Sequence, residues 1–576
     1  MVIFFYSSYA YTHLTLPQPN FPFLPARAFS LETMTGQNST SQPAGALPTS
    51  GEGMTSRGTE RPKSAVDRLR FWAIMLSLSL LGFISALDTT IIPPALPTII
   101  KDIGGATQYI WIANVFVFAS SALQPLFGQV SDIAGRRVPT AVSIALFIIG
   151  SGLAGGSTSA ALLIAGRGIQ GIGAGGIYVL IDIICCDLVP LRERGKYLAI
   201  VQAWGGVAAA LGPVIGGTLA DRNWRWIFYI NIPICALPLV AVIFFMDVKT
   251  GDGAMRLKGV DFLGNLLFIP STTAVLFGLV TGGSEYPWFS WRVILPLALG
   301  VVGWIAFLIQ QYFAAYPSLP LRLFSNRTSA AGYGLNFLSS VLLQTIGYFL
   351  PVYFQAALAT TVSASGVAFL PITIGTLLFA ALAGVLLSKY GSYRPLHIGG
   401  FIACLVGCGL FTLLDRNTHT VAWVFFELTI AIGLGTTVST ILPAILAALS
   451  ERDVASASAA FAFLRSFGFS WGVTIASVLF NTTVDKNLSM ISLEFQNMLK
   501  DGKAYSFASQ GHRLSTVVDA TEWNQIVGIY VRSLRTVWWF ALGVSAASLL
   551  LVGFEKGLRL STELNTQYGL QQKPSQ

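Results

Sequence analysis

Residues 128–137 read Gly128-Gln129-Val130-Ser131-Asp132-Ile133-Ala134-Gly135-Arg136-Arg137, and residues 384–394 read Gly384-Val385-Leu386-Leu387-Ser388-Lys389-Tyr390-Gly391-Ser392-Tyr393-Arg394. Each carries two glycines seven residues apart at the end of an apolar run, followed by a basic residue. Small residues let helix backbones approach, and Lys or Arg stops a span at the water. The first stretch joins the second and third of fourteen apolar segments, and the second joins the tenth and eleventh. With the seventh and eighth segments set aside, the two turns occupy equivalent places in two six-helix halves, which is an internal repeat in parallel orientation.

The fourteen segments lie at about 71–93, 108–128, 138–156, 160–186, 197–220, 226–247, 260–281, 293–313, 329–355, 364–388, 396–414, 421–448, 455–480 and 536–554. Each meets the roughly 20 apolar residues that a bilayer span requires. They are far longer than the alternating segments, about 10 residues each, of a membrane barrel. Composition agrees: 53% of the 576 residues are hydrophobic and only 11% are charged, with a mean hydropathy of +0.66. Too little charge is present to cover several soluble domains, and 39 Phe with 13 Trp exclude general disorder. The expected fold class is an all-α polytopic membrane protein with fourteen transmembrane helices. Its expected divisions are 1–65 (disordered), 66–250 (first half), 251–320 (two additional helices), 321–555 (second half) and 556–576 (tail).

The net charge of +9 comes from 35 Lys and Arg against 26 Asp and Glu. Loops after even-numbered segments hold most of that excess, including Arg136, Arg137, Arg192, Arg194, Lys389 and Arg394. This asymmetry places those loops, and both termini, in the cytoplasm and removes any need for a nucleic-acid partner. Pro93-Pro94 suggests a sharp break near the outer end of the first helix. Residues 481–535 form the one long loop, on the outer side, where Asn481 and Asn487 head glycosylation sequons. Trp538-Trp539 suggests an interfacial anchor. Met34 and Met54 are alternative start residues. Cys185, Cys186, Cys235, Cys404 and Cys408 fall in or at apolar segments and are expected to be core residues. The four His are too scattered for a metal site, and no Gly-Lys-Ser/Thr phosphate loop occurs. No cofactor or metal is expected.

The chain resembles the fourteen-span drug:proton antiporters of the major facilitator superfamily, in their fungal branch, over about residues 70–555. Gly128, Asp132, Gly135, Arg136 and Arg137 match the signature turn between spans two and three, with Ile133 where a basic residue is common. Asp88, followed by an apolar run ending at Leu96-Pro97, resembles the first-helix motif. Leu163 to Gly176 contains Arg167, Gln170 and Gly171 in the register of the fourth-helix motif. Gly212, Pro213, Gly216 and Gly217 match the antiporter motif of span five, with Ala208 where Gly is usual. Trp224 to Pro233 matches a string characteristic of the fourteen-span family. The resemblance implies transport rather than enzymatic activity.

Charges within a bilayer are costly and mark ion or substrate paths. Asp88 is expected to face a central cavity and exchange protons, with Arg167 assigned by resemblance to coupling and Glu427 as a second proton site. Substrate-cavity candidates are Gln170, Gln202, Asn336, Gln344 and Arg465, with Trp204, Tyr333, Phe337, Tyr348 and Phe354 as possible aromatic lining. Arg465 needs a carboxylate or a carbonyl cluster as partner, and Glu427 is one candidate; Asp182 is expected near the cytoplasmic loop. The resulting expectation is a secondary transporter, acting as a monomer, that exports a small organic toxin, drug or secondary metabolite in exchange for protons. Its expected site is the plasma membrane, with vacuolar or vesicle membranes as alternatives. An importer of a chelate or nutrient, or a non-transporting sensor, is the competing reading; the antiporter motif and the short tail argue against them.

Overall fold

The computed structural model describes residues 65–103, 109–246, 259–283, 286–500 and 502–561. The expected disordered segment up to residue 64 and the tail beyond residue 561 lie outside them. The described residues are helical throughout, apart from turns and one isolated bridge between Gly282 and Tyr286. The helices are α1 (Ala65–Ile103), α2 (Tyr109–Ala122), α3 (Gln124–Ala134), α4 (Arg137–Gly155), α5 (Ala160–Leu188), α6 (Leu191–Asn223) and α7 (Trp226–Tyr229). Next come α8 (Asn231–Phe245), α9 (Phe262–Thr281), α10 (Trp291–Phe313), α11 (Arg327–Val352), α12 (Val362–Ala368) and α13 (Leu370–Tyr390). The last are α14 (Arg394–Phe411), α15 (Thr420–Leu446), α16 (Val454–Asn487), α17 (Leu493–Leu499), α18 (Ala504–Phe507), α19 (Gly511–Leu514) and α20 (Ala520–Val552).

Among the described residues, 12 helices are long and apolar enough to cross a membrane. The two remaining sequence segments are also helical but fall outside that set. Segment 108–128 is divided at Leu123 into α2, of 14 residues, and α3, of 11, each too short alone. Segment 197–220 lies in α6, which opens on Arg192-Glu193-Arg194 and is rich in Gly and Ala.

The two glycine turns share a positive φ at the second glycine but differ in ψ, which is −177° at Gly135 and 17° at Gly391. Gly135 has φ 74° and Gly391 has φ 65°, a left-handed conformation that a β-carbon disfavours. The preceding glycines mark close helix crossings. A β-carbon on Gly128 would lie 2.4 Å from that of Ala459 in α16, and one on Gly384 would lie 2.8 Å from Cα of Lys196 in α6. Apolar burial drives little association within lipid, so such backbone approaches carry the packing. They join α3 to α16 and α13 to α6, while α1 lies along α6 and α8, and α11 along α16 and α20.

Several expectations are corrected. The α1 helix continues through Pro93-Pro94 to Ile103; packing on α6 holds it where the prolines alone would favour a break. The long loop shrinks, because α16 runs on to Asn487 and α20 begins at Ala520. Between them α17–α19 pack Phe495, Leu499, Phe507 and Ala508 onto the core of α11, α16 and α20. Asn481 and Asn487 consequently sit on the last turns of α16, where Asn487 donates to Thr483 O at 2.7 Å. Trp538 lies five turns into α20, is 1% exposed and packs on Phe411; only Trp539 faces outward. Tyr333 and Phe354 are core residues. The five cysteines are free and buried.

The start of the tail is a strap across the Gly135/Gly391 end of the bundle. Glu555 and His397 are both fully buried and meet at 2.9 Å. Leu560 N–H donates to Gly391 O at 3.2 Å, and Arg192 N–H of α6 donates to Ser561 O at 3.1 Å.

Candidate functional site

Asp88 sits in α1 at 0% exposure, enclosed by α4, α5 and α8 rather than open to a central cavity. Of the elements around it, α5 supplies two polar side chains and α4 and α8 one each. Arg167, from α5, donates through Nη1 to Asp88 Oδ2. One turn later Gln170 Nε2 donates to Asp88 Oδ1 at 2.7 Å, and Asn231 Nδ2 of α8 donates to the same oxygen at 2.9 Å. Ser151 Oγ of α4 accepts from Gln170 at 2.9 Å and from Asn231 at 3.3 Å. Gln170 Oε1 accepts from Arg167 Nη1 at 2.7 Å, which locks the amide orientation. The Phe116 ring covers the guanidinium, its centroid 4.3 Å from Cζ. The i, i+3 spacing of Arg167 and Gln170 on one helix face makes this arrangement possible.

The pair is the kind that desolvation makes fragile: together it is compensated, and either half alone is a buried uncompensated charge. Two buried atoms keep the network short of saturation, because Arg167 Nε and Asn231 Oδ1 have no partner among the described residues. Sequence reasoning found Asp88, Arg167 and Gln170 but missed Ser151 and Asn231. An amide in the otherwise apolar α8 was the available signal; a serine in a span carries none.

The antiporter-motif glycines press on α1 immediately beyond Asp88. A β-carbon on Gly212 would lie 2.0 Å from Thr90 Oγ1, and one on Gly216 would lie 2.3 Å from Ile91 O. The adjoining Trp224-Arg225 pair fastens the end of α1: Trp224 Nε1 and Arg225 Nη1 both reach Asp102 Oδ2 at 2.9 Å. These donors hold the Asp102 carboxyl below the usual carboxylate range.

The signature turn lies at the opposite end of the bundle. Arg136 meets Asp132 at 3.0 Å and Asp187 of α5 at 2.8 Å, and donates to Ser131 O at 2.7 Å. Arg137 donates to Ile243 O of α8. Further links join the first helices of the chain to the last ones. Arg194 of α6 meets Glu451 at 3.4 Å, and Gln124 Nε2 of α3 donates to Ser466 Oγ of α16 at 3.1 Å.

Arg465 of α16 pairs with Asp182 of α5 at 3.5 Å, not with Glu427. Asp182 is a buried interior group rather than a loop contact. Glu427 is fully buried and accepts the Ile372 N–H at 3.2 Å near the start of α13, where helix amides favour an anion. Its Oε1 has no partner among the described residues. Asn336 is also structural: its Nδ2 donates to Phe461 O at 2.7 Å. Gln202 and Gln344 are half-buried. Among the described residues, no group of three or more His, Cys, Asp or Glu could hold a metal ion.

A profile of the Major Facilitator Superfamily matches residues 78–473. The chain belongs to this superfamily. It is accordingly a multi-pass membrane transporter rather than an enzyme. It is 41% identical over 527 residues to MFS-type transporter gkaD of Penicillium citrinum, covering 90% of both proteins. It is 40% identical over 523 residues to Efflux pump FUS6 of Gibberella fujikuroi, covering 89% of this chain and 94% of that one. MFS-type efflux pump LUC4 of a Fusarium species is 40% identical over 524 residues, covering 89% and 92%. The fold is similar to that of the human organic anion transporter MFSD10 (TETRAN), with a TM-score of 0.53 at 15% identity, covering 84% of this chain and 99% of that one.

Proposed function

We propose that this superfamily member is a fourteen-span, proton-coupled exporter of small organic molecules. The carrying observation is the seating of Gly212 and Gly216 on Thr90 and Ile91, beside Asp88. A movement of α6 cannot leave the Asp88 network untouched. The names of the relatives, efflux pumps among them, favour export as the direction. By the same resemblance the cargo is a toxin, an antifungal drug or a secondary metabolite.

The mechanism is alternating access by two six-helix halves, 66–250 and 321–555, with two additional spans in 251–320. The signature turn and both termini face the cytoplasm, and the protein works as a monomer, in the plasma membrane. In the arrangement described above, ion pairs and close glycine crossings hold the cytoplasmic end together. A proton from outside neutralises Asp88 and frees Arg167, whose guanidinium then relies on Gln170 and the Phe116 face. The resulting shift of α5 against α1 passes to α6 through the Gly212 and Gly216 contacts. Glu427, with one unoccupied oxygen, is the second proton site, in the other half.

The test uses inside-out membrane vesicles, whose lumen corresponds to the cell exterior. An acidic lumen is expected to drive cargo into them, and Asp88→Asn or Arg167→Ala to abolish that drive. Drive unchanged in both variants would overturn the coupling assignment, and cargo accumulation by intact expressing cells would overturn export. Comparison of intracellular and medium metabolites after gene deletion identifies the cargo.

A further inference from the structure

The buried arginines of this protein fall into two kinds. Arg136, Arg167 and Arg194 are at most 3% exposed, and each makes two or more polar contacts. Arg465 is different. It lies 12 residues into the 34-residue helix α16, yet its side chain is 19% exposed. Its one hydrogen bond among the described residues is a long contact, Nη2 to Asp182 Oδ2 at 3.5 Å. Guanidinium carries five N–H donors in a planar fork and does not deprotonate, so most of its binding capacity is unused here. The Asp182 side chain is 1% exposed against 19% for Arg465, so the cation is the more accessible half of the pair.

The surroundings fit an anion with an apolar body. The Phe461 ring lies 5.4 Å from Arg465 Cζ. The neighbouring Ser466 Oγ accepts from Gln124 Nε2 of α3 at 3.1 Å. The Arg465–Asp182 contact also joins α5 to α16, helices drawn from the two ends of the chain. We propose that Arg465 is the specificity group of the transporter, and that it exchanges Asp182 for a carboxylate borne by an amphipathic cargo. A planar carboxylate accepts two parallel N–H bonds from the fork, where Asp182 takes one long contact. This deepens the export reading and rests on it for the identification of the ligand as cargo.

The experiment measures binding of 4-(1-pyrenyl)butanoate and of its methyl ester by the full-length protein in phosphatidylcholine nanodiscs. Empty nanodiscs provide the correction for lipid partition. The wild type is expected to bind the acid about 10-fold more tightly than the ester, which differs only in charge. Arg465→Gln brings the two within about twofold through loss of the acid alone, whereas Arg465→Lys keeps a part of the preference. Asp182→Asn tightens acid binding, because the competing carboxylate is gone. Equal binding of acid and ester by the wild type, no acid binding above empty nanodiscs, or a proportionate loss of both ligands in Arg465→Gln would each overturn the proposal. Nanodiscs have no gradient and no direction, so failure of the export reading in vesicles leaves this measurement standing, and the reverse.

Discussion

Asp88→Asn separates charge from shape at the centre of the site. The amide keeps the carboxylate outline, and its oxygen can still accept from Gln170 and Asn231, which lie 2.7 and 2.9 Å from Oδ1. What is lost is the countercharge of Arg167, which stays 2% exposed. Removing one partner of a buried ion pair costs about 3–5 kcal/mol. The low end applies here, because Gln170 Oε1 at 2.7 Å and the Phe116 face at 4.3 Å still attend the guanidinium. Arg167→Gln added to Asp88→Asn removes the uncompensated charge, so the double variant should be more stable than Asp88→Asn alone by about 2 kcal/mol. Unfolding in mixed detergent micelles reads the stabilities, and pH-gradient-driven flux in vesicles reads coupling. The double variant should regain stability without regaining gradient-driven flux. A wild-type stability for Asp88→Asn, or a double variant worse than the sum of the singles, would refute the account of an enclosed, mutually dependent pair.

Gly212→Ala places a β-carbon 2.0 Å from Thr90 Oγ1; overpacking of about 1–3 kcal/mol and reduced transport should follow, with partial recovery in Gly212→Ala/Thr90→Ala. Glu427→Gln retains the acceptor for Ile372 N–H, so it should keep normal expression and stability while altering the pH profile of transport; an unchanged profile would remove Glu427 from the proton path. Glu555→Ala leaves buried His397 without its partner and should cost about 1–3 kcal/mol, seen as a lowered unfolding temperature. Trp224 and Arg225 hold the Asp102 carboxyl below its usual range, so its contribution is present above about pH 4 and lost as pH falls through the depressed value. The stability gap between wild type and Asp102→Asn should therefore close in the acid limb of a pH series, and a gap that widens there would contradict the sign.

Residue patterns announced the helices because a span needs an unbroken apolar run, and the glycine turns announced the repeat because a left-handed backbone restricts residue choice. Gly135 and Gly391 both show that conformation. Pairing was harder to read. Asp88, Arg167 and Gln170 could be placed near one depth by counting turns, but which helices enclosed them could not, so an enclosed carboxylate was expected to face a cavity. Glu427 is one candidate partner for Arg465 by sequence and Asp182 is the observed one, for the same reason: depth along a helix is written in sequence, azimuth much less so. Trp538-Trp539 shows the limit at its shortest range, since adjacent residues on a helix diverge by about 100°, and one packs on Phe411 while the other faces outward.

Four elements link the signature-turn end to the Asp88 network: α4, α5 and α8 each carry residues of both, and α6 reaches both by packing. Near its start, α6 is pinned by Gly195 and Lys196 against Gly384 of α13, and by Arg192 against the tail strap. Near its far end it is pinned by Gly212 and Gly216 against the two residues that follow Asp88 by one turn. A helix of 33 residues is about 50 Å long and resists bending over that length except at a proline or glycine pair. Parting α6 from α13 at one end thus requires rotation at the other, unless the helix flexes between them at Gly205-Gly206. Helical backbone continuity runs through both glycines, so the fold supplies a lever between the signature-turn end and the Asp88 network. The proposed coupling needs such a lever, because the carboxylate and the turn that must open lie at opposite ends of the bundle and share no direct contact.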